Sequence, residues 1–123
     1  GFLFQNIALV DNKTVRENLN FIKNDCRSDL FPGIALGRVG LLDKIDQKVY
    51  SLSGGEQQRA ALARLMIKRC SLVLADEPTG SLDRANAERV FSLLETLQQM
   101  GKTVIMATHD ESFLQKGKRV IKL

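Results

Sequence analysis

Leu72-Val73-Leu74-Ala75 is an unbroken apolar run that stops abruptly at Asp76-Glu77-Pro78. A second run, "TVIMAT" from Thr103, stops in the same way at His109-Asp110. Continuous apolar segments of this kind suit strands covered on both faces of a parallel sheet, whereas strands with one wet face alternate. Between them Ala87, Val90, Phe91, Leu94 and Leu97 recur at helical spacing. Asp83 suits the N-cap of that helix, and Gly101 can end it in a left-handed conformation. Strand, helix, strand in this order predicts an α/β fold built on a parallel sheet. "GFLFQ" at the start reads as a further short strand, "ESFLQKGK" as a short helix and "RVIKL" as a final strand.

The stretch from 6 to 70 has a different character. Thr14 and Glu17 form a capping-box pattern, which predicts a helix from about 15 to 24. After Pro32-Gly33, "IALGRVGLLDKI" reads as a shorter amphipathic helix weakened by Gly37 and Gly40. From 56 to about 69, Leu62, Leu65 and Met66 keep helical spacing, and Ala60, Ala61 and Ala63 raise the propensity. The expected organisation is a strand over 1–5, a helical insertion over 6–70 and the rest of the sheet over 71–123.

With 123 residues and 44% apolar content the chain can bury one modest core. It has no run near the roughly 20 apolar residues of a membrane span, and "GFLFQNIALVDN" lacks the flanks of a secretory leader, so a cytoplasmic placement is expected. Cys26 and Cys70 form no paired motif and His109 is the sole histidine, which argues against a disulfide framework or a zinc site. The net charge of +4 is spread among acids, as in "KNDCRSD" and "DKIDQK", a pattern of solvated faces rather than a nucleic-acid surface.

"YSLSGGEQQR" places Ser53 and Glu56 in a second capping box, with Gly54 and Gly55 as the first helical residues. A helix N-terminus offers unpaired N–H groups, and glycine there lets an anion approach the backbone closely. Each glycine costs about 1 kcal/mol of helix stability against alanine, a cost that a plain cap need not carry. In open parallel sheets ligands bind beyond the carboxyl ends of the strands, where this chain puts Gln5, Asp76-Glu77 and His109-Asp110. Asp76 can orient a Mg2+ ion through its water shell, Glu77 can polarise a water and His109 can reach a terminal phosphate.

"LSGGEQQR", followed by "LVLADEPTGSLD" and "ATHD", resembles the ATPase domain of ATP-binding cassette (ABC) proteins over nearly the whole chain. The resemblance implies a P-loop NTPase type of parallel sheet with a helical subdomain. It matches Gln5 to the Q-loop, Leu52 to Gln57 to the signature motif and Leu72 to Glu77 to the Walker B strand. Ser81-Leu82-Asp83 matches the D-loop and His109 the H-loop. ATP and Mg2+ are the implied cofactors, with Glu77 and His109 catalytic and Gln5 and Asp76 at the metal. Ser53, Gly54, Gly55 and Glu56 would face the nucleotide of a second cassette across a dimer, with Asp83 communicating between the sites. Integral membrane permease subunits are the further implied partners, and the cytoplasmic face of the membrane the implied location. "GFLFQN", "TVRENL" and "EPTGSLD" resemble the exporter branch that handles lipoproteins, macrolides and bacteriocin-like peptides.

The family's glycine-rich Walker A loop does not occur in the 123 residues. Gly101-Lys102-Thr103 is a partial match, but Thr96 stands where the earlier glycine is required and the segment runs from helix to strand. The expectation is therefore a piece of an ABC ATPase cut before the Q-loop, inactive by itself. A soluble ABC-type ATPase acting on nucleic acid is the alternative, though heptads for long coiled coils are missing. A non-catalytic binding fragment is another.

Overall fold

The computed structural model describes residues 1–4 and 8–122. Among these residues, three parallel strands form one sheet in the order β1 (Phe2–Phe4), β2 (Leu72–Asp76), β3 (Thr103–Ala107). Leu3 pairs with Ala75, and Ala75 with Met106, so the strands end at one edge. Leu3, Val73 and Ala75 point into the core, where α3 (Gly54–Ile67) and α4 (Arg84–Gln99) cover them. Leu62, Ile67, Val90 and Leu97 are fully excluded from solvent there. Each such side chain contributes about 1.5–3 kcal/mol through burial. A smaller cluster stacks Phe113 of α5 (Glu111–Leu114) on Phe91 of α4, with ring centroids 5.1 Å apart.

The opposite face of the sheet is open, contrary to the expectation of strands buried on both sides. Phe2 is 57% exposed and Ile105 56%, and Phe4 and Leu72 are exposed beside them. A continuous apolar run shows that a strand can be covered twice; the helices among the described residues supply one layer only.

Both capping boxes form: Thr14 caps α1 (Val15–Asn20) and Ser53 caps α3. α1 is shorter than expected, because the chain turns at Phe21 so that Ser28 can bond Ile67 at the end of α3 and Cys26 can bond Arg69 just after it. α2 (Pro32–Arg38) begins with Pro32, whose missing N–H costs nothing in the first turn. It ends before Gly40, which takes φ +74°, and "LLDK" continues as a separate 3-10 turn over Leu42–Lys44. No strand forms over 119–122, where Val120 and Ile121 stay exposed.

Lys44 of that 3-10 turn forms an ion pair with Glu56 on α3. The Lys44 ammonium, followed by the Ser53 backbone N–H, lowers the Glu56 pKa to about 2. A carboxyl group depressed in the folded state stabilises it above the ordinary carboxylate range, and that contribution disappears as pH falls towards 2. Screening at this partly exposed site reduces it to about 1 kcal/mol. Lys44→Met should therefore lower stability at pH 7 but hardly at pH 2, as urea titrations at both pH values would show.

Candidate functional site

β2 and β3 end side by side, and the residues that follow them meet. The Glu77 N–H donates to Ala107 O (2.9 Å), extending the ladder by one bond. Glu77 then adopts φ +44°, a left-handed conformation uncommon for a side-chain-bearing residue. This turn brings its carboxylate back over β3. Glu77 Oε1 accepts the His109 backbone N–H at 3.0 Å and lies 2.7 Å from His109 Nδ1. The Thr108 hydroxyl, 3.5 Å from Glu77 Oε2, also accepts the Asp110 N–H. The His109 ring is 87% exposed, so the carboxylate is sheltered on its inner side and the imidazole projects outward. With Nδ1–H donating to Glu77, a neutral ring presents Nε2 as an acceptor; only the imidazolium presents an outward N–H to an anion.

Asp76 ends β2 one residue earlier, between Phe4 and Ala107 in the register. Its carboxylate is exposed and makes no hydrogen bond or ion pair among the described residues. Those residues contain no cluster of His, Cys, Asp and Glu able to enclose a metal. A lone carboxylate of this kind fits Mg2+, which keeps most of its waters and takes phosphate oxygens. Gln5 lies outside the described residues.

At the start of α3, Glu56 N–H donates to Ser53 Oγ (3.2 Å), while Ser53 N–H donates to Glu56 Oε1 (3.0 Å). The two glycines have different reasons for being there. Gly54 is exposed, and a Cβ on it would find only Leu82 Cδ2, at 4.0 Å. Packing therefore does not explain Gly54, and the open backbone suits an anion. Gly55 is buried, and its Cβ would fall 2.6 Å from Asn86 Oδ1. Asn86 is held in turn by Asp83, whose Oδ1 accepts both its N–H (2.8 Å) and its Nδ2 (3.0 Å). Close approach of α4 thus explains Gly55, where the sequence reading invoked anion access for both. Glu56 is committed to Lys44 and the cap.

Among the described residues, no hydrogen bond joins the Ser53–Glu56 group directly to the Glu77–His109 group. They are linked through Gln58, which sequence reasoning passed over along with Asn86 and Thr108. Gln58 is buried and donates from Nε2 to Pro78 O (2.8 Å). Its Oε1 is buried without a partner, an arrangement that costs about 1–3 kcal/mol. Only the position of Gln58 in "GGEQQR", on the turn after the glycines, hinted at it.

The family profile described as ABC transporter matches residues 1–80. The macrolide export ATP-binding/permease protein MacB of Rhodopseudomonas palustris (strain BisB18) is 39% identical over 129 residues, spanning 100% of this chain and 20% of that protein. YvrO of Bacillus subtilis (strain 168), an uncharacterized ABC transporter ATP-binding protein, is 37% identical over 98% of this chain and 55% of its own length. The chain thus spans about a fifth of MacB and about half of YvrO. Among solved structures, the dimeric bacterial ABC transporter cassette MJ0796 superposes with a TM-score of 0.78 at 33% identity, over 96% of this chain and 55% of that one. CbiO1 of Clostridium perfringens, part of the CbiONQ transporter complex, gives 0.74 at 28% identity over 89% and 47%. The sheet order, the doubly capped α3 with its open glycine, and a family match over 80 residues lead to one conclusion: this chain belongs to the ABC transporter family.

Proposed function

We propose that the chain is the signature and Walker B portion of a cassette that hydrolyses ATP to drive export across a membrane. The observation that carries this is the Glu77–His109 pair, set beside the unengaged Asp76 at the carboxyl edge of a parallel sheet. ATP with Mg2+ would bring the phosphoanhydride to be cleaved and offset its negative charge. Glu77 accepts a proton from the attacking water at its carboxylate, and His109 holds that carboxylate in place. As imidazolium, His109 also donates from Nε2 to a phosphate oxygen. Asp76, through water, and Gln5 would hold the Mg2+ ion, which would offset phosphate charge when bound. Ser53 and Gly54 seat the phosphates held by a second cassette, while Asp83 fixes Asn86 between the sites.

The regions 1–5, 6–70 and 71–123 correspond in this reading to the Q-loop strand, the helical subdomain with the signature helix, and the Walker B to H-loop core. An open hollow of about 380 Å³ lies between β1 and the segment after α1, lined by Phe2, Phe4, Phe21, Ile22 and Leu65 beside Lys23 and Arg64. Its mixed apolar and basic lining supports docking of a permease segment. No helix among the described residues is long and apolar enough to cross a membrane. The hollow's lining and the transporter proteins among its relatives favour a subunit or domain seated against a membrane permease at the cytoplasmic face. The macrolide export proteins among its relatives support an exporter.

ATPase assays on the complete cassette test the reading: saturable, Mg2+-dependent phosphate release is expected, and its absence overturns the proposal. The 123-residue chain itself should bind MgATP more weakly than about 1 mM, equivalent to about 4 kcal/mol. It has no G-x-x-x-x-G-K-[ST] cradle, so Asp76 and Glu77 would meet a polyanion with little to offset the repulsion. Calorimetric titration checks this, and saturable binding tighter than that limit would contradict it.

A further inference from the structure

Gln58 is 2% exposed, yet only half of its amide is used. Burying the unpartnered Oε1 is unfavourable, and an apolar side chain of similar volume would avoid that cost. What the amide provides is the Nε2–H bond to Pro78 O, on the residue immediately after Glu77. Glu77 needs holding, because its φ of +44° persists only where the surroundings impose it. Before the turn, the Glu77 N–H is fixed to Ala107 O of β3. After the turn, Gln58 fixes the chain to α3, the helix that begins at Ser53 and Gly54.

We propose that Gln58 is the positioning residue for Glu77, coupling the seat of α3 to the direction in which the Glu77 carboxylate points. Its role in turnover rests on the function proposed above; its role in placing the carboxylate does not. The bond crosses from helix to strand end, so a displacement of the α3 N-terminus by an anion shifts the peptide behind Glu77. His109 follows, because its backbone N–H and Nδ1 both contact the same carboxylate oxygen.

Gln58→Met separates positioning from stability, since it removes the donor and the orphaned oxygen together at similar volume. Two measurements are made. In the 123-residue chain, the melting temperature should be equal or higher, while the His109 amide exchanges about tenfold faster and the β2 amides of Val73 and Ala75 keep their protection. In the complete cassette, kcat for ATP should fall about tenfold with KM changed less than twofold. Gln58→Leu should behave in the same way. Unchanged His109 exchange overturns the proposal, as does a general loss of protection that includes β2, which would make Gln58 a purely structural residue. The exchange measurement uses no nucleotide, so a complete cassette without ATPase activity would sink the functional reading and leave the His109 result to decide this one.

Discussion

Glu77→Gln in the complete cassette should cut ATP turnover by on the order of 10²-fold or more while leaving ATP binding intact. The amide keeps the size of the side chain, and its oxygen can still accept from the His109 N–H and Nδ1–H, so the turn at φ +44° survives. What disappears, on the function proposed above, is the basicity with which the carboxylate would take a proton from water. On that proposal, binding should persist because the phosphates would be held elsewhere, through Mg2+ beside Asp76 and at the Ser53–Gly54 edge of a partner. Phosphate release measured beside equilibrium binding of ATP distinguishes the two steps. Turnover near the parental rate would remove Glu77 from the role of base.

The second large effect is on stability and separates two adjacent glycines. Gly55→Ala drives a methyl group into the side chain of Asn86, which cannot swing away without losing its bond to Asp83. Overpacking of this kind costs about 1–3 kcal/mol, of which the helix propensity of alanine returns up to about 1, leaving a fall in melting temperature of roughly 3–10 °C. Gly54→Ala meets open space and should leave the melting temperature within a few degrees of the parent. Thermal unfolding followed by circular dichroism compares the variants directly. Asn86→Ala combined with Gly55→Ala should recover much of the loss, a coupling that a double-mutant cycle measures. Equal sensitivity at the two glycines would contradict the packing account.

Features that depend on a few neighbouring residues were legible in the sequence. Thr14 with Glu17, Ser53 with Glu56, and Asp83 announce their helix starts by local hydrogen bonding, and all three caps form. The apolar runs gave β2 and β3, and their abrupt polar ends gave Glu77 and His109, because parallel strands must bring such ends together. Features that depend on distant partners were not legible. The end of α1 at Asn20 is set by pairing of 26–28 with the end of α3, and the exposure of Ile105 by how many layers cover the sheet. Gly55 looked identical to Gly54 until Asn86 was brought against it. Gln58 carried no signal of its own, since the atom that it bonds is a backbone carbonyl.

The central position of β2 also sets an order of events during synthesis. β2, α4 and β3 are consecutive in the chain, so this unit can close as soon as it has emerged, through contacts close in sequence. The pairing of β1 with β2 is instead distant in sequence: Gly1 N donates to Leu72 O across a separation of 71 residues. At about 5–20 residues per second, the pairing of Phe2, Leu3 and Phe4 with β2 becomes available roughly 4–14 s after those three residues are made. The β1–β2 pairing is therefore among the last contacts of this segment to form, after the local β2–α4–β3 unit has closed.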